Sequence, residues 1–265
     1  MTKYKIFRKT GNFYFFIALI ILLLGFSFFY FFYTRVRNQE ELYVTIAAGK
    51  NSTSKPDTSF NWLPYWLADS IEIGDKDVNP LGGSNMIVVE KNSYEAGYYG
   101  QNVYLLLKMK AVHDRSGIYL YKNKPLSVGS VIDLNLTKTQ VQGLVIKVDK
   151  EKPNYTYKKL KVTLHQKAVN REIADSLKVG SEIKDNKKMI LAVLLDKQIA
   201  PPISSSLYLD SSQRSLQVTV ELLVKKIDDN YYYAETSKVK VNEWLFLPFK
   251  EVGLFFPIIS ITEIQ

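Results

Sequence analysis

A run of 21 residues without a charge, Phe13 to Tyr33 (FYFFIALIILLLGFSFFYFFY), limits what this chain can become more than any other feature. At ~1.5 Å per residue such a helix spans about 31 Å, the thickness of a bilayer's hydrocarbon core. A helix buried in a water-soluble domain rarely tolerates an apolar surface all round. A cleaved secretory signal would have a shorter apolar region ending in small residues, whereas this run ends in Phe-Phe-Tyr-Thr-Arg. The segment reads as an uncleaved anchor, with the lipid bilayer as its partner from Phe13 to Tyr33.

Orientation follows from the flanks. Lys3, Lys5, Arg8 and Lys9 precede the run, while Arg35 and Arg37 are followed at once by Glu40 and Glu41. The positive-inside bias makes residues 1–12 a cytoplasmic tail and puts the bulk of the chain outside the cytoplasm. Phe13, Tyr14, Tyr30 and Tyr33 suit the interfacial belts. The same distribution explains the net charge of +9. Six of the 35 Lys and Arg lie in the first 37 residues, which leaves 29 basic against 26 acidic residues beyond them. An interspersed, nearly balanced surface argues against nucleic acid as a partner. The absence of cysteine excludes disulfides, thiol catalysis and zinc sites that need sulfur ligands.

Beyond residue 41 the chain reads as one unit written twice. Leu42-Tyr-Val-Thr-Ile46 matches Leu160-Lys-Val-Thr-Leu164, and both alternate as strands do. Leu67-Ala-Asp-Ser-Ile-Glu-Ile-Gly74 matches Ile173-Ala-Asp-Ser-Leu-Lys-Val-Gly180, with four of eight positions identical. Upstream, Leu63, Leu67 and Ile71 recur every four residues, as do Val169, Ile173 and Leu177, which predicts a short amphipathic helix in each copy. Leu105 to Ala111 and Val218 to Val224 alternate as strands, and the later register is constant at 113 residues. The pattern apolar-x-apolar-Gly/Asn closes at Gly74, Gly129, Gly180 and Asn242, residue types that accept positive φ and so mark tight turns.

These matches set the boundaries: a juxtamembrane linker over 34–41, a first β-rich domain over 42–148, a polar linker over 149–159 and a second domain over 160–265. The expected fold class is α+β, mostly β. One transmembrane helix precedes two tandem homologous barrel- or sandwich-like domains, each with a short helix. Residues 47–59 are an insertion that only the first copy carries.

The order of VTI-like strand, short helix, IxxG turn and β-rich remainder behind one anchor resembles an uncharacterised bacterial group, domain of unknown function 4330. The resemblance covers most of each half. It implies a membrane-anchored envelope protein and nothing about chemistry.

Chemistry-bearing constellations are sparse. Asp75, Asp77 and Asn79 are spaced like the start of a calcium loop, but Pro80 stands where the required Gly should be and Met86 where a bidentate Glu should be. An ordinary Asp/Asn turn is the better reading, with neither metal nor cofactor expected. His113 and His165 read as surface histidines, and no serine sits in a G-x-S-x-G elbow. The repeated Asp69 and Asp175 fall at helix ends, where local backbone hydrogen bonding is their expected role.

Two aromatic clusters stand out. Phe60, Trp62, Tyr65 and Trp66 lie near the first, membrane-proximal helix at positions where the second copy has Gln166, Ala168, Arg171 and Glu172. Trp244 to Phe256 is similarly rich, with Trp244 and Phe249 as candidate contacts and half of the stretch expected in the core. The functional expectation is a non-enzymatic scaffold or adaptor of a bacterial envelope assembly such as secretion, pilus or transport machinery. Its partners would be other envelope proteins or further copies of itself. The alternative is a sensory or ligand-binding ectodomain for a glycan or peptide, using the membrane-proximal aromatics.

Overall fold

The computed structural model describes residues 14–30, 39–49, 62–77, 84–96, 100–114, 116–201 and 212–264. Residues 14–30 form helix α1, exposed along its length. Among the described residues no helix is long and apolar enough to cross a membrane. Phe13, residues 31–33 and the basic tail, on which the expected span and its orientation also depend, lie outside the described residues, as do Phe60, Asn79 and most of the expected insertion.

The rest is mostly β, in two curled sheets. The first comprises β1 (Gln39–Gly49), β2 (Leu63–Pro64), β3 (Met86–Glu95), β4 (Gly100–His113), β5 (Tyr119–Tyr121), β6 (Lys124–Pro125), β7 (Val131–Asn135) and β8 (Gln140–Asp149), with helix α2 (Tyr65–Asp69) between β2 and β3. The second comprises β9 (Thr156–Asn170), β10 (Glu182–Lys184), β11 (Ile190–Ala200), β12 (Gln213–Ile227), β13 (Asn230–Tyr233), β14 (Ser237–Lys238), β15 (Trp244–Pro248) and β16 (Gly253–Glu263), with α3 (Arg171–Ser176) after β9. Antiparallel neighbours run β3-β4-β1-β8-β7 in the first and β11-β12-β9-β16-β15 in the second, the same order. A single bridge, Lys76 to Ile87, takes the place of β10 in the first sheet.

Alternation builds the cores. Leu42, Val44 and Ile46 on β1 are buried, and so are Leu160, Val162 and Leu164 on β9. Each sheet closes over its own cluster of buried side chains. Every fully buried aliphatic side chain contributes roughly 1.5–3 kcal/mol, so each cluster can stabilise a separate fold.

The four Gly/Asn turns form as the pattern predicts, with φ of +94° at Gly74, +87° at Gly129, +89° at Gly180 and +72° at Asn242. Each also docks on a distant strand. Their N–H groups donate to the carbonyls of Val88, Val145, Leu194 and Ile258 at 2.8–2.9 Å, and the N–H of each of those residues returns a bond to the residue after the turn. In all four strands one residue then bulges out of the ladder: Val89, Ile146, Leu195 and Ile259. Turn and bulge thus occur twice in each sheet. The register Val44↔Leu107 and Ile46↔Leu105 is symmetric about the β1–β4 contact, so the two halves of the first sheet are related by an approximate twofold. The register of β9 with β12, Leu164↔Val218 and Val162↔Val220, repeats that symmetry.

One detail refines the sequence reading and two correct it. In the turn pattern only the first apolar residue (Ile71, Leu126, Leu177, Val239) is buried, while the second (Ile73, Val128, Val179, Val241) is exposed. In the repeated Ala-Asp-Ser it is the serine that makes the local bond, Ser70 to the Leu67 carbonyl and Ser176 to the Ile173 carbonyl; Asp175 pairs with Arg171. His165 is half-buried, 2.9 Å from the Ser215 hydroxyl.

One lysine per sheet closes the helix ends. Lys91 donates to the carbonyls of Ala68 and Ile71, and Lys197 to those of Ala174 and Leu177, at 2.7–3.0 Å. Both satisfy orphan carbonyls and complement the negative end of the helix. Burial holds the Lys91 ammonium below its usual pKa, against the opposing pull of Asp69, Glu72 and Asp75.

Candidate functional site

Asp77 sits at the seam where the first sheet's edges meet. Its side chain is 2% exposed and accepts the Tyr121 hydroxyl, the Asn135 backbone N–H at 3.1 Å and the Lys122 ammonium at 2.5 Å. The buried carboxylate thereby ties the start of the β3 edge to the end of β7. Burial, then the bond to Asp77, pushes the Tyr121 phenol well above its usual pKa. Asp75 accepts the Glu72 N–H at 2.8 Å. Both carboxylates that sequence spacing put in a candidate metal loop are therefore engaged with protein donors. Among the described residues no cluster of three or more His, Cys, Asp or Glu could hold a metal ion.

In the second sheet, Ile183 and Pro248 occupy the places of Asp77 and Asn135, and Tyr233 that of Tyr121. The β13–β14 turn has positive φ at Ala234 and Glu235 where the β5–β6 turn has it at Lys122 and Asn123. Glu235 leaves the seam and meets Lys225, a pair with side chains only 7–8% exposed. It also accepts from Asn92 at 2.8 Å and Tyr94 at 2.9 Å, both on the first sheet. Lys225 lies 4.5 Å over the Tyr155 ring. Tyr104 bonds Thr236 at 2.9 Å, Lys187 donates to Asn92 at 2.8 Å, and Tyr94 packs against the second core. These contacts bind the two sheets to one another. A uniform register of 113 residues hides these contacts: the β12–β13 turn is one residue shorter than the β4–β5 turn, so the offset is 112 at Tyr121 and Tyr233, and Val112 and Asn123 stand where the second sheet has Lys225 and Glu235.

Between the sheets lies a cleft of about 110 Å³. Tyr94 and Tyr104 line it from the first sheet, and Ile183, Leu191, Tyr233 and Phe246 from the second.

The predicted contact residues divide. Trp66 is 73% exposed, and Trp62 and Tyr65 are also exposed. The Tyr65 hydroxyl donates to Glu95, itself on the rim of the cleft, and that bond with burial pushes the phenol up to about 12. Gly100 makes room for this cluster, since a Cβ there would fall 2.3 Å from the Trp62 ring and from the Leu63 carbonyl oxygen. Trp244 is exposed and stacks on exposed Phe255 with ring centroids 5.0 Å apart. Phe249, by contrast, is buried in the second core and packs rather than presents. Alternation assigns Trp244 and Phe246 outward and Leu245, Leu247 and Phe249 inward.

No family model, curated protein or solved structure matches the chain. The duplicated architecture therefore has to supply the reference, because each position in one sheet can be read against its counterpart in the other. On the outer face of the β7–β8 hairpin stand Asp133, paired with Lys124 at 2.5 Å, and Gln142, which bonds Asp133 at 2.9 Å. The counterparts on the β15–β16 hairpin are Phe246 and Phe255. Trp244 replaces Val131, and Pro257 replaces Leu144.

Proposed function

We propose that the chain is a membrane-anchored, extracytoplasmic adaptor or scaffold subunit of a bacterial cell-envelope assembly, non-enzymatic, with its N terminus in the cytoplasm. Two tandem copies of one β unit, akin to domain of unknown function 4330, follow the single span. Shared strand order and shared turn-and-bulge geometry support the duplication. The observation that carries the function is the aromatic outer face of the β15–β16 hairpin. Its counterpart in the first sheet is a solvated ion pair and an amide, so the scaffold does not require aromatics there. Exposed, clustered aromatic side chains at a sheet edge are the usual anchors of partner surfaces.

Mild detergent extraction of the full chain tests this. The wild type should co-purify with a stoichiometric envelope partner, and Trp244→Ala/Phe255→Ala should lose it while keeping its far-UV circular dichroism. A wild-type chain that elutes alone as a monomer overturns the reading.

The exposure of Trp66 beside Trp62 supports a second reading, a sensory or ligand-binding ectodomain. Under it, Trp62→Ala/Trp66→Ala abolishes glycan or peptide binding and leaves partner co-purification intact.

A further inference from the structure

We propose that the two sheets become joined covalently, by an amide bond between Lys225 Nζ and Asn92 Cγ, which the chain forms on itself with loss of ammonia. The inference does not depend on what the aromatic hairpin binds.

One carboxylate oxygen organises the groups. Glu235 Oε1 accepts from the Lys225 ammonium, whose nitrogen is the attacking one, and from Asn92 Nδ2 at 2.8 Å, the nitrogen that leaves. The Lys187 ammonium donates to Asn92 Oδ1 at 2.8 Å, where negative charge gathers as an amine adds to the carbonyl. Lys225, Glu235 and Asn92 line one cavity of about 10 Å³, which has room for about one water or one ammonia and for no larger ligand.

The surroundings are dry. Lys225 is 5% exposed, and the rings of Tyr155 and Tyr157 cover its ammonium at 4.5 and 5.9 Å. Burial above all pushes up the phenols of Tyr94, Tyr104, Tyr155 and Tyr157 around the site. Where charge is poorly solvated, a proton transfer that turns an ion pair into a neutral amine and a neutral acid costs less than in water. Groups held against one another also react far faster than the same groups free in solution.

The step balances without a co-reactant. Lys225 gives one proton to Glu235, and the freed amine adds to Asn92 Cγ while Oδ1 takes up the displaced electron pair beside Lys187. Glu235 passes that proton to Nδ2, the bond from Cγ to Nδ2 breaks, and the carbonyl re-forms. The departing ammonia carries off a second proton from the former amine, as ammonium. Glu235 ends as the carboxylate it began as, and nothing is oxidised or reduced. None of the three residues is required by the β unit: the first copy has Val112 and Asn123 in place of Lys225 and Glu235, and the second has Gln198 in place of Asn92. All three additions meet at the contact between the sheets.

The test is the intact mass of the full chain, purified in detergent and measured after denaturation. The wild type should be lighter than its sequence by one ammonia. Trypsin does not cut after an acylated lysine, so a digest should yield one branched fragment in which 92–108 is joined to 215–226. Glu235→Gln keeps both reacting groups, and Asn92→Ala removes the acceptor. Each should show its full sequence mass and keep the wild-type circular dichroism spectrum. A wild type at full sequence mass overturns the proposal, as does an undiminished loss of ammonia in Glu235→Gln. Loss of ammonia without the branched fragment marks a succinimide at an asparagine and overturns it too. So does loss of water, which would join Lys225 to Glu235 instead. If Glu235→Gln does not fold, Asn92→Ala and the branched fragment still decide.

Discussion

In the first sheet a buried aspartate draws together a tyrosine, a lysine and the backbone of the opposite edge. In the second, the same four places hold Ile183, Tyr233, Ala234 and Pro248, which line a cleft against the first sheet. The strand order, the four docked turns and the bulges are common to both, so the seam is not what makes the fold. The charge that one sheet keeps at its seam, the other has moved to its flank. There Glu235, paired with Lys225, accepts from Asn92 and Tyr94 of the neighbouring sheet. One seam is therefore closed by its own polar side chains, and in the other sheet the polar residues are redirected to the contact with its neighbour.

The largest effect should come from breaking the pair between the sheets. Glu235→Ala leaves the Lys225 ammonium buried and unpaired, along with Asn92 and Tyr94, and should cost about 3–5 kcal/mol in urea unfolding. Lys225→Val/Glu235→Asn, which restores the residues of the first copy, should cost markedly less, because no uncompensated charge stays behind. Equal losses in the two variants would mean that the pair does more than neutralise itself.

Next in size is the closed seam. Asp77→Ala strands the Tyr121 hydroxyl, the Asn135 N–H and Lys122, and should cost about 2–4 kcal/mol. Asp77→Asn keeps an acceptor and should cost less. If both are neutral, the seam of the first sheet is no more a latch than that of the second.

How much of this was legible depends on the range of the interactions. Period-two alternation placed β1, β4, β9 and β12, because side chains on a half-buried strand have to alternate whatever they touch. Gly74, Gly129, Gly180 and Asn242 were legible as turns because φ above zero restricts residue type locally. What they dock on was not, since a backbone bond to Val88 or Ile258 leaves no mark on side-chain choice. Asp77 looked like the start of a metal loop because spacing cannot reveal that Tyr121 and Asn135 fold over it. Phe249 was singled out with its exposed neighbours although it stands in phase with Leu245 and Leu247, the inward positions of the same alternation. Trp62 and Trp66 were recognisable as additions only because the duplication supplied a second sequence to set them against.

The shared turns allow a smaller test. Gly180→Ala forces an L side chain to φ +89° and should cost about 1–2 kcal/mol, whereas Asn242→Gly should stay within about 0.5 kcal/mol of wild type. The gap between the two, measured as a shift in urea midpoint, reports how far Asn242 already tolerates the conformation that Gly180 adopts freely.

The smallest expected effect concerns a tyrosine that only the first copy has, since Arg171 stands at the place of Tyr65. Its bond to Glu95 raises the phenol to about 12, so the neutral form is favoured in the fold. The raised value sets the sign: the contribution is complete below pH 10, the ordinary phenol value, and fades as pH climbs through about 12. Tyr65 is exposed, so little stability is at stake. In an ultraviolet absorbance titration Glu95→Ala should shift one tyrosine's ionisation from about 12 down toward 10, and Tyr65→Phe should remove that ionisation altogether. A profile unchanged by Glu95→Ala would detach Tyr65 from the rim of the cleft and leave Trp62 and Trp66 a surface of their own.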